Sequence, residues 1–501
     1  MRKSLCLLLF LVALALSGLP CAEASGRNLI YAVDKEPSGL DPNLVTAHAS
    51  IRVHKQIYST LLETNASMDL IPDLAERWEE GPNNTYTFHL RKGVKFHNGR
   101  ELTADDVLYT YNRILNPDVG SIARSYFSRV KAIEALDPYT VKFTLSSPDA
   151  TFLNYTASNY AGIVPKEVVE EHGDLKKVTC GTGPFRMKEY VEGNKIVLER
   201  NPDYFIEGEP RLDTLTFLVM PDEASRLAAL RTKSVHLAVL SSANLPLVKN
   251  NKDIVVMDYL SSNYDFLGFN LTKKPFDDVR VRQAVALLID RQEIIDAIYD
   301  GNAVPTGPCP PSMTKWAIDV ERDALYKPDA ERARKLLAEA GYPDGFSMEI
   351  TAGINKATTD AAQIIQSQLA KGNIEASIRV LETAQYIDAW KHRTHDSMIG
   401  MNGGGSDPDR SLDFFFTTGA PANVWGYSNP EVDKLNAEGR ETTDFESRRK
   451  IYARAQEILL HDLPTVFLEC PKAFFFVRKE VKGYRAETYD SENFVGVTVE
   501  E

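Results

Sequence analysis

Cysteine is scarce in this chain: its 501 residues hold five, and Cys6 and Cys21 lie within the first two dozen positions. The other three, Cys180, Cys309 and Cys470, stand 129 and 161 residues apart. Those separations fit no metal-ligand spacing and suit buried small apolar side chains better than a disulfide framework. An oxidising compartment would permit one disulfide among the three and leave an odd thiol. No apolar run reaches the roughly 20 residues that a membrane-spanning helix needs. No basic stripe is present either, and the formal net charge is −13. An acidic chain repels phosphate backbones, which argues against nucleic acid as a partner. Local catalytic signatures are missing: there is no G-x-x-x-x-G-K-[ST], no H-E-x-x-H, no G-x-S-x-G and no C-x-x-C. A triad need not be local in sequence, so these absences lower the case for an enzyme without closing it. An enzyme is not expected, and neither a cofactor nor a metal is called for.

What is present is ordinary globular composition, 43% hydrophobic and 25% charged, without low-complexity tracts. The length exceeds what one core usually serves, so two or three domains are expected. Arg2 and Lys3 precede an apolar run from Leu5 to Leu16, and Ala22-Glu23-Ala24 follows. A charged start, a short apolar core and an A-x-A site make residues 1–24 a signal peptide, so the mature chain is expected from Ser25. Its removal takes away two positive charges and one negative, moving the net charge to −14.

Periodicity then alternates between strand and helix. Asn28–Val33, Thr85–Leu90, Thr140–Leu145, Lys195–Glu199, Leu215–Val219 and Tyr264–Asn270 read as strands. Thr103 with Asp106 forms a capping box ahead of Val107, Tyr111 and Ile114 on one helical face. Ala224–Leu230 reads as helix. One long helix is expected after Pro275-Phe276-Asp277-Asp278, carrying Val281, Val285, Leu288, Ile295 and Tyr299 and ending at Gly301. Asp329 caps another that stops at Gly341, and residues 360–371 and 446–460 are helical by the same test. Thr465–Leu468 and Ala473–Val477 are of buried-strand length. Mixed elements throughout point to α/β layers.

Few residues invite a chemical role. Gly181-Thr182-Gly183 lacks a third glycine and reads as a tight turn. His392 and His395 are three apart, but Lys391, Arg393 and Asp396 beside them favour a solvated charged face over a metal site. Asp105/Asp106 and Asp277/Asp278 stand where helices begin, which the helix dipole explains. Asn402-Gly403-Gly404-Gly405-Ser406-Asp407-Pro408 follows the apolar stretch Met398–Met401, a strand running into a glycine-rich loop. Ligands in α/β folds gather beyond the carboxyl ends of strands, where glycines let backbone approach closely. A flexible connection without a ligand fits the same spacing equally well.

The segments Pro72-Asp-Leu-Ala-Glu-Arg-Trp78, Tyr86-Thr-Phe-His-Leu-Arg91, Gly93-Val-Lys-Phe-His-Asn-Gly99 and Leu102-Thr-Ala-Asp-Asp-Val107 resemble the signature of the extracellular solute-binding proteins of family 5. Those are the peptide- and nickel-type receptors of ABC importers. Gly181-Thr-Gly-Pro-Phe185, Asn201-Pro-Asp-Tyr-Phe205, Phe269-Asn270, Pro275-Phe-Asp-Asp-Val-Arg-Val-Arg-Gln-Ala284, Ile289-Asp-Arg291 and Tyr427-Ser-Asn-Pro-Glu-Val-Asp433 resemble the blocks that follow. In order, the matches run from about residue 28 to 480. The resemblance implies a periplasmic-binding-protein-like two-lobed clamshell of three interwoven domains. Domain I would comprise 26–62, 179–272 and 478–501, domain II 63–178 and domain III 273–477. It also implies a periplasmic monomer that captures a peptide or other small molecule and delivers it to a membrane-embedded ABC permease.

Two departures bear on the ligand. Dipeptide-binding members carry an aspartate for the peptide's amino group where this chain has Gly404. They place an arginine for the peptide's carboxylate where this chain has Ala352 and Gly353, and a tryptophan where it has Met401. Dipeptides held by ion pairs at both termini are therefore not expected. The cleft is expected to be lined by Met401, Asn402, Gly403, Gly404, Gly405, Ser406 and Asp407, with Asn263, Tyr264 and Trp425. The glycines would offer backbone donors and Asp407 a polar contact or simply a turn. Tyr264 and Trp425 would stack on the ligand, although Trp425 suits the core equally well.

Overall fold

Alternating side chains on short strands and apolar stripes on capped helices yield three main sheets, each closed by helices over its own core, beside two small two-stranded ribbons. The computed structural model describes residues 27–45, 47–65, 68–405, 407–486 and 492–500. The expected signal peptide and Ser406 lie outside the described residues.

The smallest of the three sheets shows the logic most simply. Along Thr85–Leu90 the side chains of Tyr86, Phe88 and Leu90 are buried and those between them are not. Thr140–Leu145 repeats the pattern and pairs antiparallel with it, flanked by Ala75–Gly81 and Val130–Asp137. The helix Ala104–Leu115 covers the inward face, and its Thr103–Asp106 capping box is formed. Its Tyr111 meets Phe127 and Phe143 edge-on, with ring centroids 4.9 Å away in each case.

An eight-stranded sheet is built around Asn28–Val33, which runs parallel to Thr214–Val219 on one side and Leu237–Val239 on the other. Glu469–Arg478 lies antiparallel between Leu237–Val239 and Ile254–Leu260. A five-stranded sheet has the order Ile374–Leu381, Phe346–Gly353, Ser397–Gly403, Asn263–Phe269, Thr465–Phe467. The chain passes between these two sheets at neighbouring points. Ile254–Leu260 belongs to the larger sheet and Asn263–Phe269 to the smaller; Thr465–Phe467 belongs to the smaller and Glu469–Arg478 to the larger. The Ser261 N–H donates to the Pro471 carbonyl at 3.0 Å and holds the two crossings side by side. Boundaries expected at 272/273 and 477/478 therefore miss the places where the chain changes sheet. The physical reason is strand pairing: Asn263–Phe269 bonds to Ser397–Gly403, and Glu469–Arg478 is bonded on both sides within the larger sheet.

The single helix expected after Asp278 is two, Val279–Leu288 and Arg291–Tyr299. Asp290 breaks it, because its carboxylate accepts the Gln292 and Glu293 N–H groups and caps a new start. Gly181-Thr182-Gly183 is less a turn than a close approach. A Cβ on Gly181 would lie 2.0 Å from the Ile57 carbonyl oxygen, and one on Gly183 2.6 Å from that of Gln56. Only glycine lets this segment abut the end of the helix His48–Ile57. His395 does not share a solvated face with His392: it is buried, packs edge-on to Trp425, and burial pushes its pKa down to about 4. Cys180, Cys309 and Cys470 are all buried and unpaired.

Candidate ligand-binding cleft

Where the two larger sheets face each other, a cavity of about 880 Å³ opens. One wall comes from the eight-stranded sheet, through Val239–Ser241 and Ala473–Phe475. The other comes from the five-stranded sheet and its glycine-rich loop, and Tyr126 with 154–155 and 157–160 from the four-stranded unit closes one side.

Strand parity decides which loop residues reach it. Ser397–Gly403 pairs with Asn263–Phe269 in the register Asn263↔Gly403, Tyr264↔Asn402, Asp265↔Met401. Successive side chains point to opposite faces. Met401, Gly403 and Asn263 accordingly border the cavity, and Met401 is 59% exposed there. Asn402 and Tyr264 turn away, are buried, and join behind the wall through an Asn402 Nδ2 to Tyr264 hydroxyl hydrogen bond of 3.1 Å. Trp425 is fully buried against Phe266, with ring centroids 5.1 Å apart. A Cβ on Gly268 would come within 2.2 Å of its ring. The stacking expected of Tyr264 and Trp425 is thus corrected: both are core residues, and Asn402 is not in the wall.

Gly404 and Gly405 border the cavity. The Gly404 N–H donates to the Ser262 carbonyl at 2.9 Å, and a Cβ on Gly404 would lie 2.2 Å from that oxygen. The backbone path here admits no side chain, a carboxylate-bearing one included. Ala352 is fully buried in the core beneath, and neither it nor Gly353 borders the cavity.

Asp407 borders the cavity, yet its carboxylate is fully engaged by the protein. One oxygen accepts the Asp409 N–H at 3.0 Å and Arg448 Nη2 at 2.7 Å; the other accepts Arg448 Nη1 at 2.7 Å and Asn154 Nδ2 at 3.0 Å. The expected polar contact to ligand is replaced by a helix cap, an ion pair and a bridge to the four-stranded unit. Tyr155 makes a second bridge, donating its hydroxyl to Asp409 at 2.7 Å. Burial, with Asp413 and Asp407 nearby, raises Asp409 to about 6, and burial also raises Tyr155. Arg440 pairs with Asp149 at 3.4 Å beside these contacts.

The charges around the cavity are mostly spoken for. Arg52 pairs with Glu492 at 3.1 Å and Lys472 with Asp258 at 2.9 Å. Arg226 donates to the carbonyls of Val239, Met220 and Pro221. Sequence reasoning missed Tyr126, Asn154, Tyr155 and Arg410, all of which border the cavity. Only Arg410 had a legible cue, since it follows Asp407-Pro408 in the first turn of the helix Pro408–Phe416. Among the described residues no group of three or more His, Cys, Asp or Glu is placed to hold a metal ion, and no helix is long and apolar enough to cross a membrane.

Two α/β lobes joined by paired strand crossings, with a roomy cleft between them, define a two-lobed clamshell of the periplasmic-binding type. Residues 69–423 match the model of the bacterial extracellular solute-binding proteins, family 5. The dipeptide-binding protein of Escherichia coli strain K12 is 32% identical, over 96% of this chain and 96% of that one. Heme-binding protein A of Haemophilus influenzae is 30% identical, over 95% of this chain and 93% of that one. Among solved structures, the periplasmic binding protein DppA of Helicobacter pylori in complex with the peptide STSA superposes with a TM-score of 0.83 at 29% identity, covering 95% of this chain and 98% of that one. The chain belongs to family 5 of the bacterial extracellular solute-binding proteins, and its role is to bind a solute.

Proposed function

We propose that this protein is exported to the periplasm, closes around a peptide and passes it to a membrane-embedded ABC permease, as a monomer and without catalysis. The observation that carries this is the cleft itself. Its volume of about 880 Å³ falls in the range of small-molecule sites, roughly 300–1,000 Å³. The relatives that bind dipeptides and the tetrapeptide STSA favour a peptide over other solutes. Three domains anchored on the three sheets, with the lobes turning about 261–262 and 468, would supply the closure. Met401, Gly403, Gly404, Gly405 and Asn263 would meet the ligand. Dipeptides gripped by ion pairs at both ends are not the preferred cargo, because Gly404 excludes the amine-binding carboxylate and Ala352 is buried away from the cleft.

Deletion of the gene should abolish uptake of labelled peptides that the purified protein binds, and the wild-type gene should restore it. Unchanged uptake, with binding to the purified protein intact, would instead assign the protein to a sensor that reports solute without importing it.

A further inference from the structure

Arg410 is a cation of the cleft wall that has neither a carboxylate partner nor, unlike Arg226 with its three carbonyl acceptors, a hydrogen-bond acceptor among the described residues. It leaves the first turn of Pro408–Phe416 with its guanidinium over the faces of Phe414 and Phe415, the carbon at its centre 3.8 Å and 4.9 Å from the two ring centroids. No carboxylate pairs with it among the described residues, and its Nη1 is shut from solvent without an acceptor. Arg52, Lys472 and Arg226 border the same cavity and each has acceptors. A buried donor without an acceptor is unfavourable, and a guanidinium stacked on aromatic rings keeps its edge free for one. Gly405 makes room for this placement: a Cβ there would lie 2.8 Å from that of Arg410. The neighbouring loop position is Gly404, whose backbone path excludes any acid that would compete for the guanidinium.

We infer that Arg410 anchors the free carboxylate of a bound peptide, so that this end of the cleft selects an anionic ligand group. The inference rests on the peptide reading above. A carboxylate matches the fork of a guanidinium in two parallel hydrogen bonds, which an amide cannot offer. With no acid side chain on Gly404, the loop offers Arg410 no carboxylate of its own, and the ligand's amino group is directed elsewhere. Asp34 and Glu223, on the opposite lobe and bordering the same cavity, have no ion pair among the described residues and are the acids available to it.

The test uses the full mature chain, unfolded and refolded to strip endogenous ligand. Its probes are a pooled tripeptide library prepared as free acids, as C-terminal amides and as N-acetyl acids. Wild-type protein should bind the amides about 30-fold more weakly than the acids, as expected for truncating one side of a desolvated charge pair. Arg410→Gln should lose that discrimination, binding acids and amides alike, and Arg410→Lys should restore part of it. The lysine variant guards against a folding defect, because it keeps the charge and the stem. Equal binding of acids and amides by wild-type protein, or undiminished discrimination in Arg410→Gln, would overturn the role of Arg410 while leaving the peptide reading intact. Failure of all three pools to bind wild-type protein would overturn both.

Discussion

Replacing Arg448 with leucine should destabilise the protein by about 3–5 kcal/mol, the usual cost of removing one partner from a buried ion pair. Arg448 and Asp407 are 4% and 2% exposed, and the two side chains meet through paired bonds of 2.7 Å. Loss of the guanidinium leaves a carboxylate buried with only the Asp409 N–H and Asn154 Nδ2 to accept from. It also strips the Gly439 carbonyl of the Arg448 Nε donor, 2.8 Å away, so the helix Pro430–Glu441 loosens with it. Denaturant titration followed by circular dichroism measures the loss. The double variant Arg448→Leu/Asp407→Leu should be less destabilised than the sum of the two single variants, because no unpaired charge remains. A single variant as stable as wild type would mean that Asp407 is solvated and free for ligand after all.

Trp425→Ala should cost a similar amount, about 3–5 kcal/mol, as large-to-small changes at buried aromatics do. The indole fills the space left by Gly268, packs on His395, and meets Phe266 within one apolar cluster. Its N–H has no acceptor among the described residues, so Trp425→Phe should be milder: it removes volume without orphaning a partner. Peptide affinity separates core from cleft. Trp425→Phe should bind with wild-type affinity at a lowered melting temperature; lost affinity at unchanged stability would return Trp425 to the binding wall.

Alternation placed Thr85–Leu90 and Thr140–Leu145 correctly, because each strand has one face in a core and the other outside it, whereas Asn28–Val33 is packed on both faces. The break at Asp290 was hidden, since Leu288, Ile295 and Tyr299 stay in helical phase across it and only the cap interrupts the backbone. Sheet membership of Asn263–Phe269 and Glu469–Arg478 depends on partners more than a hundred residues away, which local pattern does not contain. Within the site, the glycine-rich loop was legible as a strand end, and its placement at the cavity follows from that. Asn263 and Tyr264 were expected together, although adjacent strand residues face opposite ways; parity alone could have separated them. Arg410 escaped notice because what distinguishes it is an unmet donor in a shared cavity, a property of three-dimensional surroundings.

The central claim, that the cleft between the lobes captures a small solute, is tested most directly by thermal denaturation of ligand-stripped protein. The panel should hold di- to pentapeptides, glutathione-like peptides, nickel chelates, amino-acid derivatives and oligosaccharides. A ligand at 100 times its dissociation constant stabilises by about 2.7 kcal/mol, which moves the midpoint visibly. Peptides longer than two residues should raise the midpoint, and Met401→Arg, which fills the cleft from an exposed wall position, should abolish the rise without lowering the unliganded midpoint. A rise that survives Met401→Arg unchanged would place the binding site elsewhere and contradict the account.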